Sequence, residues 1–242
     1  MDKTKKLMWI AIILASCVFG LVLTFLDVEE DTRTLALLIW CCVCVAVYGA
    51  VTMKNGKKTV AKMMEANRLF TEEHDVEGYI AALNALVEEE KDNYQAQQIL
   101  HINLCAAYCA KQDHAAALTA LEAVPNPKKL NKPNAAFYWV NLALCNFYLG
   151  NDEEGMRIVE LQRKAFTEMR SAQQTGPALA FIEIFENLHN GETEDAIALL
   201  EVARAQWETE STAKDFALMA EKCGVELEPL PEKSEEETEE YA

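Results

Sequence analysis

His101, Cys105 and Cys109 stand at i, i+4 and i+8, which places an imidazole and two thiols along one face of a helix. Those are zinc-type donors, but eight residues of helix separate the outer two by about 12 Å, too far for one tetrahedral ion. Cys105 also takes a small-residue packing position in the repeat register set out below, so its expected role is to fill space, and no metal or cofactor is assigned. Gly56-Lys57-Lys58-Thr59 has the end of a phosphate-binding loop, yet Val51 stands where the upstream glycine is needed. No Gly-x-Ser-x-Gly elbow occurs. Glu88 to Glu90 and Asp152 to Glu154 fall at helix ends in exposed registers, the pattern of solvated faces and not of a buried general acid. The chain is therefore read as a non-enzyme.

The elements that carry these residues begin with two charge-free runs of twenty residues, 7–26 and 34–53. At about 1.5 Å per residue each is about 30 Å long, the thickness of a bilayer core, so two transmembrane helices are expected. Asp27 to Arg33 is a tight acidic connection between them. Lys3, Lys5 and Lys6 precede the first run and Lys54, Lys57, Lys58 and Lys62 follow the second, which predicts a multi-pass protein of the cell membrane with both termini and the remaining domain cytoplasmic. Cysteines without a framework spacing agree with a reducing compartment. Leu14-Ala15-Ser16-Cys17 has the look of a lipoprotein cleavage box, but apolar residues continue to Leu26, which favours an uncleaved helix. No ionisable residue interrupts either run, so no transport chemistry is implied.

From residue 54 the pattern is helical hairpins. Trp139, Leu142, Ala143 and Asn146 share one helix face, Gly150 can take the positive φ that ends the helix, and a second amphipathic helix follows with Gly155 and Val159. Aligned on Gly150 and Gly155, three further copies appear: His74 with Tyr79, Gln112 with Ala117, and Gly191 with Ala196. The turns are 38, 38 and 41 residues apart, a spacing that belongs to stacked helical pairs. Four residues before each turn stand Phe70, Tyr108, Asn146 and Asn187.

This array resembles the tetratricopeptide repeat family. Trp139 sits where that family has a first-helix Trp, Tyr108 where it has Tyr, and Ala117 and Ala196 where it has a second-helix Ala. The first two turns lack Gly, Gly155 replaces Ala, and the period exceeds the family's usual 34. The expected architecture is all-α: a membrane anchor over 1–53, an α-solenoid of about four tetratricopeptide-like hairpins over 54–223, and an acidic disordered tail over 224–242. The segment from Ser211 to Cys223 should be a final helix that closes the stack.

In the family the first helix of each pair lines a concave binding face, and the resemblance puts Ile102, Phe137, Val140, Leu144, Phe147, Phe181 and Phe185 on it. The Lys and Asn set with which chaperone-binding members hold a carboxylate is missing, so an apolar protein or peptide partner, or a second copy, is the implied occupant. The competing reading is that these side chains are inter-repeat core. Residues 54 to 242 carry 34 acidic against 18 basic side chains, which disfavours nucleic acid. Lys128, Lys129 and Lys132 form the basic patch of the array, in its longest inter-repeat connection. The leading expectation is a membrane-tethered scaffold for protein-protein interaction, and the alternative is a self-associating structural protein.

Overall fold

Five residues between helices adopt left-handed backbone, and they set the phase of the chain. His74 (φ 54°), Gln112 (φ 59°), Gly150 (φ 77°), Gly191 (φ 80°) and Gly224 (φ 71°) each follow a helix. At four of them the next residue's amide donates to a carbonyl five residues back: Asp113 to Tyr108 at 3.0 Å, Asn151 to Asn146 at 2.9 Å, Glu192 to Asn187 at 2.8 Å, and Val225 to Ala220 at 3.0 Å. These bonds satisfy carbonyls that the ending helix orphans. At the first turn Asp75 reaches one residue further, to Leu69 at 2.8 Å. The four aligned turns therefore share one backbone device, although two of them lack glycine.

The computed structural model describes residues 3–25, 30–170, 175–209 and 212–227. Among them the helices are α1 (Lys3–Phe25), α2 (Glu30–Thr71), α3 (Val76–Glu89), α4 (Tyr94–Ala110), α5 (His114–Glu122), α6 (Lys132–Tyr148), α7 (Asp152–Met169), α8 (Gly176–Asn190), α9 (Thr193–Trp207) and α10 (Ala213–Cys223), with a 3-10 turn at Pro127–Lys129. No strand occurs among the described residues. Helix starts follow local chemistry. The Asp75 carboxylate accepts from the Gly78 amide at 2.9 Å, and Asn131 accepts from the Asn134 amide at 3.0 Å, with Pro133 in the first turn of α6. Repeated helical hairpins of this kind fit an α-solenoid.

The chain divides into two compact units, Met1–Asp113 with Thr119–Pro127, and His114–Leu118 with Lys128–Ala242. In the first unit α2 packs on α3 and α3 on α4. Leu83 and Leu100 are fully buried, and Phe70 meets Tyr79 at 5.1 Å between ring centres. Near the start of the chain, Trp40 Nε1 donates to Ser16 Oγ at 3.0 Å and its ring stacks on Phe19 at 4.8 Å, which ties α1 to α2. In the second unit α6 pairs with α7, α8 with α9, α6 also packs on α8, and α10 packs on α9. Its core holds Phe147, Ile158, Ile182, Leu200, Phe216 and Met219.

The expected membrane anchor is corrected. Among the described residues no helix is long and apolar enough to cross a membrane. The continuous stretches of described side chains in the two apolar runs, 9–24 and 34–50, fall short of the ~20 residues a span requires. Nor does the second helix stop where the charge-free run 34–53 stops: α2 continues through Lys57, Lys58 and Lys62 to Thr71 and so crosses the expected domain boundary at residue 53 unbroken. The two transmembrane helices, and with them the multi-pass placement with cytoplasmic termini and repeat domain, are withdrawn. A charge-free count measures composition, not where a helix ends. Residues 228–242, most of the expected acidic tail, lie outside the described residues.

Candidate interaction surface

The residues of the expected binding face divide by unit. On α6 and α8, Val140, Leu144, Phe147, Phe181 and Phe185 are all buried. Phe147 stacks on Phe185 at 5.0 Å with rings 7° from parallel, and Tyr148 meets Phe185 edge-on at 5.2 Å. Phe181 packs edge-on against Phe216 of α10 at 4.9 Å. This part of the aromatic stripe is core: a neighbouring hairpin and the chain's own final helix cover it. Phe137, in the first turns of α6, keeps 37% of its surface, and Ile102 on α4 is half-buried.

The open part of the stripe lies in the first unit. Val60 and Met64 on α2 are 55% and 69% exposed, and Ile99 on α4 is 37% exposed. Arg68, one helical turn beyond Met64, bonds to Glu65 at 3.1 Å and to Glu73 at 3.4 Å. Between α2 and α3 lies a cleft of about 330 Å³ walled by Ala66, Leu69, Ala82, Ala85 and Leu86. Lys62 and Glu89, paired with each other, also line it. The hydrogen bond from Lys62 holds the Glu89 carboxyl below the usual carboxylate range, with the charges of Lys62 and Lys58 adding to it.

The sequence did not disclose a ladder of charges between α7 and α8. Arg163 bridges Glu160 at 2.8 Å and Glu186 at 3.2 Å, and Arg170 pairs with Glu183. Burial pushes the Glu183 carboxyl up, the Arg170 guanidinium pulls it down and nearby Glu186 pushes it up. The cleft there is only about 70 Å³, room for a few waters. The signal was present as Arg163 and Arg170 seven residues apart and Glu183 and Glu186 three apart, each one side of a helix, but pairing them requires knowing that α7 meets α8.

The constellation on α4 resolves into separate contacts. Cys105 and Cys109 place their sulfurs 3.9 Å apart, and Cys105 is buried. His101 turns its Nε2 to Gln97 Oε1 at 3.2 Å, and burial lowers its pKa. Two adjacent thiols are half of a tetrahedral donor set. Of the helix-end carboxylates, Glu154 is held low by its bonds to Arg157, the direction opposite to that of a general acid. Cys17 is exposed and carries no disulfide.

No family model, no curated protein and no solved structure matches the chain.

Proposed function

We propose that the chain is a divergent tetratricopeptide-like interaction scaffold, and that the open face of its first unit, Val60, Met64, Ile99 and Ile102, binds an amphipathic segment of another protein. The observation that carries this reading is the exposed apolar stripe on α2 and α4 at the register where the resemblance puts the binding face. Glu65 and Glu73 flank the stripe and the chain has a net charge of −17, which favours a partner segment with basic flanks. Such a segment would contribute apolar anchors for the stripe and charge for the rim.

The test is capture by crosslinking in cells with the full chain, beside Met64→Glu with Ile99→Glu and beside Phe137→Glu. Loss of one enriched protein with the double variant, and its retention with Phe137→Glu, supports the first-unit face. Equal capture by all three sinks it.

A second reading, self-association, is favoured by a separate observation. Leu7, Leu14 and Val18 on α1 and Leu35, Leu38 and Val45 on α2 each expose more than half of their surface. Large contiguous apolar surface marks an association site.

A further inference from the structure

We infer that the acidic end of this chain is an internal ligand of the second unit: Glu239, Glu240 and neighbouring glutamates lie on Lys128, Lys129 and Lys132, with Tyr241 in the adjoining cleft between α6 and α7. The proposal is independent of the binding face assigned to the first unit.

The receiving surface combines charge with a vacancy of the right size. Lys128, Lys129 and Lys132 are all exposed, within five residues of one another. None of them forms an ion pair with a described residue. They stand at the start of α6, where the amides of the first turn add positive potential. Lys132 also lines a cleft of about 180 Å³ whose apolar walls are Ala135, Ala136, Trp139, Ala165 and Met169. That volume suits one aromatic side chain. Glu168 lines it too, so the acidic run belongs on the Lys132 side.

The occupant is named by charge and reach. Residues 228–242 carry seven glutamates against one lysine, and Tyr241 directly follows Glu239 and Glu240. The described chain ends at Leu227, which packs on the core of this same unit. Lys222, five residues earlier, shares a cleft with Phe147 and Gly150 at the far end of α6. α6 has 17 residues and is about 25 Å long. The 14 residues from Leu227 to Tyr241 extend to about 46 Å, enough to travel the helix with slack. A tether of this length keeps its end at roughly millimolar effective concentration, so a weak contact of three lysines and one ring is populated without an outside partner.

Zero-length carbodiimide crosslinking of the full chain, mixed in equal parts with isotope-labelled chain and read by mass spectrometry, tests this. The expected result is intramolecular links from Glu235 to Glu240 onto Lys128, Lys129 and Lys132. They should fall roughly tenfold near 1 M NaCl, where the screening length is about 3 Å. Links shared equally with Lys164, Lys214 and Lys222, or links between labelled and unlabelled chains, overturn the proposal. For the cleft, Tyr241 is replaced by photoreactive benzoylphenylalanine. Capture of Ala136 or Trp139 supports the assignment, and capture outside α6 and α7 overturns it. Lys128→Glu with Lys129→Glu and Lys132→Glu, all surface changes, should abolish both signals.

Discussion

At the scale of single residues, the departures from the tetratricopeptide pattern have local causes. Gly155 stands where the family has Ala because the Phe147 ring already occupies that space: a Cβ there would come within 2.7 Å of a ring carbon. Both atoms lie in the core of the second unit, so neither can step aside, and Gly155→Ala should cost about 1–3 kcal/mol, measured as a lower urea midpoint with unchanged slope. The turns give a test of opposite sign. Gln112 holds a conformation that an L side chain occupies at a cost, whereas Gly191 holds it freely. Gln112→Gly should therefore stabilise by about 0.5 kcal/mol, net of its added unfolded-state entropy, and Gly191→Ala should destabilise by about 1 kcal/mol. His101 gives a pH dependence. Burial lowers its pKa, so the folded state binds a proton less readily than the unfolded one. Its contribution to stability is present above the unfolded value near 6.5 and is lost as pH falls through it towards the lower folded value. Between pH 7.5 and 5.5 the urea midpoint of the native chain should fall by more than that of His101→Leu. Equal falls would place the titration elsewhere.

At the scale of elements, the turn register was legible from sequence and the occupancy of the faces was not. Turns placed at His74, Gln112, Gly150 and Gly191 are the positive-φ positions observed, because residues fixed by spacing from a helix end depend on local backbone geometry. The segment read as a closing helix is α10. Which first-helix residues stay open depends on what packs over them, and no periodicity carries that: Phe137 and Phe181 hold equivalent places, yet only Phe181 meets a ring from α10. The charge ladder between α7 and α8 was hidden for the same reason. The cap makes its own prediction. Phe216 is fully buried and Phe181 packs against it, so Phe216→Ala should cost about 3–5 kcal/mol and raise binding of a hydrophobic dye. Phe181→Glu should fail to fold, because it puts an unpaired charge into the same contact. If Phe216→Ala leaves the midpoint unmoved, α10 is not a structural cap.

At the scale of the whole molecule, one sequence feature kept its prominence while its meaning changed. The two apolar runs were plain from composition, and the described helices do carry them, but not as spans long enough to cross a membrane. What remains is an apolar surface on α1 and the first half of α2. A typical monomer's largest exposed apolar patch is about 300–600 Å², and a chain of net charge −17 gains solubility without covering such a surface. A second copy can cover it. Fully burying one leucine contributes about 2 kcal/mol, and a micromolar dimer needs about 8 kcal/mol beyond the cost of association, so removing two central leucines should decide the outcome. Leu14 and Leu38 are each about 60% exposed, so they contribute little to the unit's own core and substantial area to a partner. The full chain should therefore sediment as an oligomer at micromolar concentration, while Leu14→Glu with Leu38→Glu sediments as a monomer with unchanged helical content. A native chain that is monomeric under the same conditions removes self-association and leaves this face to a foreign partner. An oligomer that survives the double change places the self-contact on another surface.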